Sequence, residues 1–300
     1  MVEQRARGAK IVEQVSGSGS QRQVWMDVRY VILTYAISWL IWVPGVVWWV
    51  GSGSEDLPWW LLVLGLVGAY GPSIAALILT RKDKGASGVR QLLSGLTIWR
   101  VAPGWWGVAL FCFPAMLAAA IAIYHFTGGV PGDFQPGAWY FLVPIVLVTA
   151  LPFGPLGEEL GWRGYALPRL QARYSALTSS LIIGVVWTFW HVPLFWVPGA
   201  ALGPWETVSL ASVSTYLVST IGTAIIFTWL FNNTRGSVLL AIVLHITTNA
   251  SGRILFAMFP DLTEDALSSI VVLAIVIKWA VVVALVVIFG WRKLSRPVPG

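Results

Sequence analysis

Long apolar runs separated by short polar breaks dominate the chain. Eight stretches of about span length carry few charged side chains: 30–50, 58–80, 102–125, 139–157, 177–198, 207–231, 236–259 and 267–290. A helix rises 1.5 Å per residue, so about 20 residues cross the roughly 30 Å hydrocarbon core of a bilayer. The pattern predicts an all-α, polytopic integral membrane protein of about eight transmembrane helices. Breaks such as Gly51-Ser-Gly-Ser-Glu-Asp-Leu-Pro58 and Arg81-Lys-Asp-Lys-Gly85 are rich in turn residues. The fourth stretch is interrupted by Pro144, Pro152 and Pro155. Such breaks are tolerated in a membrane where neighbouring helices or a wet cavity satisfy the freed backbone.

Composition agrees. The chain is 57% hydrophobic and 11% charged, where soluble domains carry roughly 25% charged residues. With a mean hydropathy of +0.76, this excludes a soluble enzyme, a disordered chain and a fibre. The net charge of +6 does not point to nucleic acid, because its placement has another cause. With both termini cytoplasmic, 17 of the 19 Lys and Arg fall on the inner side, as the positive-inside rule requires. Only Arg253 lies outside, and Lys278 lies within a span. The polar residues 1–24, with Gly and Ser at 17–20, read as a mobile cytoplasmic tail, and 25–300 as a single membrane domain. The first apolar run has span length and no small-residue cleavage pattern, so it reads as a helix and not as a cleaved signal. Cys112 is the single cysteine, which excludes an internal disulfide and a Cys-based zinc site. No internal repeat is visible, which weakens an inverted-repeat transporter.

Ionisable side chains within spans are costly and therefore mark candidate chemistry. They are Glu158, Glu159, Arg163, His191, His245 and Lys278, with Asn249 as a polar companion. On a helix Glu159 and Arg163 are i and i+4, the favourable order for an ion pair. Glu158 points about 100° away and is left to face a cavity. His245 and Asn249 share one helix face by the same spacing, as do Trp187 and His191. Lys278 reads as structural. Together these residues offer a general base, two imidazoles and an amide donor for an oxyanion. That set suits attack of water on a carbonyl. A transporter or proton relay draws on the same titrating groups.

Glu158-Glu159-xxx-Arg163, then Trp187-xxx-His191, then His245-xxx-Asn249, resembles the motif set of the CPBP intramembrane proteases. That family comprises type II CAAX prenyl endopeptidases and bacteriocin-processing or immunity (Abi) proteins. The resemblance covers about residues 141–259, the protease-like core. One departure is that the family pattern has Phe where Trp187 stands. The resemblance implies an intramembrane endopeptidase in a prokaryotic plasma membrane, acting on a membrane-proximal or lipidated peptide among membrane lipids. It assigns Glu158, His191, His245 and Asn249 to catalysis, with Glu159, Arg163 and Trp187 in support. A catalytically silent immunity protein would keep the same fold. The residues allow a zinc set of His191, His245 and Glu158. They equally allow metal-free hydrolysis, slightly favoured because a ligated Glu158 is less available as a base.

Overall fold

The computed structural model describes residues 28–54, 56–135, 137, 139–202 and 207–296. The expected tail at 1–24 lies outside these. Within them the secondary structure is helical, without strands. The helices are α1 (Val28–Ser52), α2 (Trp59–Gly68), α3 (Gly71–Ser94), α4 (Pro103–Phe126), α5 (Trp139–Ala150), α6 (Pro155–Glu159), α7 (Leu167–Gln171), α8 (Ala176–Trp190), α9 (Leu210–Asn233), α10 (Val238–Met258) and α11 (Glu264–Phe289). A π-helical segment, Leu160–Ala166, joins α6 to α7. Hydroxyl caps start several helices: Ser175, Ser209, Ser237 and Thr263 accept from the backbone N–H three residues on.

Each of the eight apolar stretches is helical, but they are not eight equal crossings. Six helices are long and apolar enough to cross alone: Val28–Ser52, Trp59–Thr97, α4, α9, α10 and α11. The fourth stretch is a pair bent by 40°, Val143–Ala150 and Pro155–Gln171, which would make a seventh span. The fifth stretch, read as 177–198, stops as a helix at Trp190, and His191 caps it. Fifteen residues reach about 22 Å, short of the hydrocarbon thickness. The cause is Pro193, which has no N–H to continue the ladder and disfavours helix at Val192. A 3₁₀ turn, Val192–Trp196, follows.

The bundle holds an aromatic core around the proline-broken fourth span. Tyr30, Trp42, Trp162, Tyr165 and Trp190 are buried there. The Tyr30 ring stacks on Tyr165 at 4.8 Å between centroids, and Trp42 packs on Trp190 at 4.7 Å. Large apolar side chains face outward, among them Leu40 and Val287, each 77% exposed. In a membrane they meet lipid tails, so no soluble-protein rule is broken.

The loops sort to two ends. Arg235 donates to the carbonyl of Arg100, Ala176 N–H donates to Arg292 O (2.8 Å), and the Asn232 amide donates to Lys293 O (2.7 Å). The start of α8, the end of α9 and the basic segments near 100, 235 and 292 therefore share one end. At the opposite end Gln135 N–H donates to Met258 O (2.8 Å).

Two glycines seat the broken span against its neighbours. A Cβ at Gly157 would lie 2.6 Å from the Ala69 carbonyl oxygen, and one at Gly161 2.5 Å from that of Pro72. At i and i+4, they let α6 and the π segment approach the α2–α3 junction backbone to backbone, as small residues do in membranes.

Candidate active site

The proline break delivers Glu158 to the interior. Pro152 and Pro155 end α5 and start α6, and Gly154 between them takes φ +107°, a region that favours glycine. Glu158 and Glu159 then lie in the first turns after the break, 3% and 0% exposed. Both carboxylates are held. Glu158 Oε2 accepts from the indole N–H of Trp187 (2.5 Å) and from that of Trp162 (3.3 Å). Its other oxygen, Oε1, faces Gly154. A methyl group there would lie 2.6 Å from Oε1 and 3.7 Å from the Asn249 amide nitrogen. Carboxylate and amide thus flank one glycine.

Glu159 occupies the layer behind. Its Oε1 accepts from Arg163 (3.0 Å) and from His245 Nδ1 (2.7 Å). The Arg163 guanidinium lies 4.7 Å from the Trp187 ring centroid and 4.3 Å from that of Phe227. This cation–π packing suits a weakly hydrated guanidinium withdrawn from water. The expected Glu159–Arg163 pair is present, and it extends to His245.

His191 Nδ1 lies 2.8 Å from the carbonyl oxygen of Trp187. A carbonyl only accepts, so the proton sits on Nδ1 and Nε2 is left as an acceptor. The carboxylate of Glu159 fixes the same tautomer in His245. The Trp187 ring neighbours both imidazoles, 6.0 Å from His191 and 5.4 Å from His245 by centroids. Tyr216 closes on His191 at 5.7 Å from α9.

Glu158, Trp187, His191, His245 and Asn249 all line one cavity of about 780 Å³. Glu159 and Arg163 are not among its lining residues. Its exposed lining residues include Leu62, Pro198, Gly199, Ala200 and Arg253, at the end of the bundle opposite the basic loops. The zinc set does not assemble. Among the described residues no three His, Cys, Asp or Glu side chains are grouped so as to hold a metal ion. No step is therefore routed through a metal.

Sequence reasoning missed Trp162, Gly154 and Tyr216. Trp162 had a usable signal, since it stands i+4 from Glu158. Trp187, expected in support, is a hydrogen-bond donor to Glu158.

A model of the family "Type II CAAX prenyl endopeptidase Rce1-like" matches residues 138–251. That range begins just before the broken span and ends just after Asn249. The chain is 28% identical over 231 residues to a CAAX prenyl protease 2 of Methanococcus maripaludis. The alignment covers 75% of this chain and 83% of that protein.

Proposed function

We propose that this chain, similar over residues 138–251 to the type II CAAX prenyl endopeptidase family model and 28% identical to a CAAX prenyl protease 2, is an intramembrane endopeptidase of that kind, hydrolysing a peptide bond of a membrane-proximal or lipidated substrate in a prokaryotic plasma membrane. The observation that carries this reading is the pose of Glu158, clamped at Oε2 by two indoles while Oε1 faces Gly154, which the Asn249 amide also approaches. A carboxylate held at one oxygen presents the other as a positioned base.

In the proposed reaction Glu158 takes a proton from a water whose oxygen attacks the peptide carbonyl carbon. The Nε2 atoms of His191 and His245 hold the water, and the Asn249 amide donates to the oxyanion as charge builds there. The C–N bond then breaks, and the proton held by Glu158 passes to the leaving nitrogen. The products are a carboxylate and an amine. Glu159 and Arg163 position His245 from behind and touch neither reactant.

Fragment masses after incubation of the purified protein with lipidated peptides in ¹⁸O water test the reading. One labelled oxygen should appear in the new carboxylate. Proton uptake in liposomes with intact peptide would instead indicate a relay.

A further inference from the structure

A second concavity, of about 270 Å³, opens between the start of α1, the π segment, α7 and α8. Its walls are apolar and aromatic side chains, Val31, Ile32, Leu170, Ile182 and Val186 among them. Ile32 is 63% exposed, so the cleft lies on a face that meets lipid tails. It is smaller than the about 300–1,000 Å³ of a site for a drug-sized ligand, which suits a slender hydrocarbon chain. Its depth fits one leaflet. Ile182 and Val186 stand six and ten residues past Ala176, the first residue of α8. That is about 9–15 Å of rise, against roughly 15 Å for half the hydrocarbon core.

The end of the cleft near the start of α8 carries cations. Arg169, on α7, donates to the Tyr165 carbonyl (2.8 Å) and lies 3.5 Å from the Tyr165 ring centroid, and Tyr165 lines the cleft. Arg29, exposed, stands between the lining residues Val28 and Tyr30. Among the described residues neither arginine is in an ion pair with a carboxylate. A guanidinium fixed by two contacts keeps further donors in a planar fork that matches a phosphate. An apolar trough with unpaired cations at its headgroup end complements an anionic lipid.

Trp162 joins this cleft to the chemistry. Its ring, 1% exposed, lines the cleft, while its Nε1 donates to Glu158 Oε2 at 3.3 Å. Tyr30, from the same cleft, packs edge-on against Trp162 with 5.7 Å between centroids. We propose that the cleft binds one anionic membrane lipid, with its phosphate at Arg169 and Arg29 and its hydrocarbon chain along α8 against Trp162, and that the bound lipid holds Trp162 on Glu158. Occupation of the cleft does not depend on the peptidase reading, whereas its effect through Glu158 rests on it.

Photolabelling is the test, because it does not require cleavage. The purified protein in phosphatidylcholine vesicles receives a trace of phosphatidylglycerol or of phosphatidylcholine, each with a diazirine on one acyl chain, and the labelled peptides are mapped. Phosphatidylglycerol should label residues 28–32 and 182–186 at least about tenfold more than phosphatidylcholine, the worth of a charge-assisted hydrogen bond. Arg169→Gln should remove that preference, and Ile182→Trp, which fills the trough, should remove the label. The comparison of the two lipids on the unaltered protein stands even where a variant fails to fold. Equal labelling by the two lipids, or labelling spread evenly over the other lipid-facing helices, would overturn the site. Displacement of the label by a lipidated peptide would give the cleft to the substrate's own chain and overturn its assignment to a resident lipid. Cleavage is scored separately. It should be roughly tenfold faster in vesicles containing phosphatidylglycerol, the effect of one hydrogen bond to a charged group, and Arg169→Gln should lose that response. Labelling at the cleft with cleavage indifferent to the lipid would overturn the coupling to Glu158. Labelling with no cleavage in either lipid would remove the peptidase reading and leave the lipid site in place.

Discussion

The indole nitrogen of Trp187 donates to Glu158 Oε2 across 2.5 Å, between residues 29 positions apart in the chain. Where the family pattern has Phe, this protein has a donor aimed at its candidate base. Trp187→Phe keeps an aromatic ring at this position but removes the N–H together with part of the indole bulk. A hydrogen bond to a charged group contributes about 1.5–3 kcal/mol. The lost hydrogen bond should lower kcat by roughly 10- to 100-fold, and the smaller ring in a buried site should lower the unfolding temperature modestly. An unchanged kcat would reduce Trp187 to packing.

Gly154 should tolerate no side chain. Alanine there would set a methyl 2.6 Å from Glu158 Oε1 on a backbone at φ +107°. The strain is of order 1–3 kcal/mol, and the displaced carboxylate matters more. Gly154→Ala should abolish turnover while the protein still purifies as a folded helical bundle. Retained activity would show that Oε1 need not be where it stands.

The two adjacent glutamates should separate by phenotype. Glu159 balances buried Arg163 and holds His245, so Glu159→Ala leaves a buried cation without its carboxylate. Breaking such a pair costs about 3–5 kcal/mol, which should appear as a lowered unfolding temperature in detergent and a poor yield. Glu158→Ala should leave stability near that of the unaltered protein.

Much of this was legible because it is local. Proline spacing marked the broken span, i and i+4 spacing marked the Glu159–Arg163 pair, and the lack of charge elsewhere singled out the intramembrane groups. The contacts that organise the site are not local. His245 reaches Glu159 across 86 positions, and spacing within one helix says nothing about them. The π segment at Leu160–Ala166 has no periodic signature of its own. The end of α8 at Trp190 did have a signal in Pro193, but the continuous apolar run outweighed it. The eight apolar stretches were visible, whereas the shortness of the fifth was not.

The placement of basic residues gives an expected sidedness. Reporter fusions at residues 54 and 132 should read outside, and at 85 and 300 inside. The same assignment puts the cavity rim on the outer face, where a cysteine introduced at Ala200 should react with an impermeant reagent in intact cells. Inverted reporters would turn both termini and rim around together.

Metal dependence can be decided directly. Because three donors are not grouped among the described residues, activity should survive strong chelation, and purified protein should lack stoichiometric zinc. One zinc per chain, lost with activity and restored with it, would contradict the metal-free route.

The most direct measurement of the central claim is single-turnover cleavage of a lipidated peptide by the purified protein, beside Glu158→Gln. Glutamine keeps the size of the side chain and an acceptor for the indoles, but it cannot take the water's proton. Removal of a general base costs at least about 10²-fold. The account predicts a single cut by the unaltered protein and a rate reduced by at least that factor in Glu158→Gln. Cleavage at an undiminished rate by the variant would contradict it.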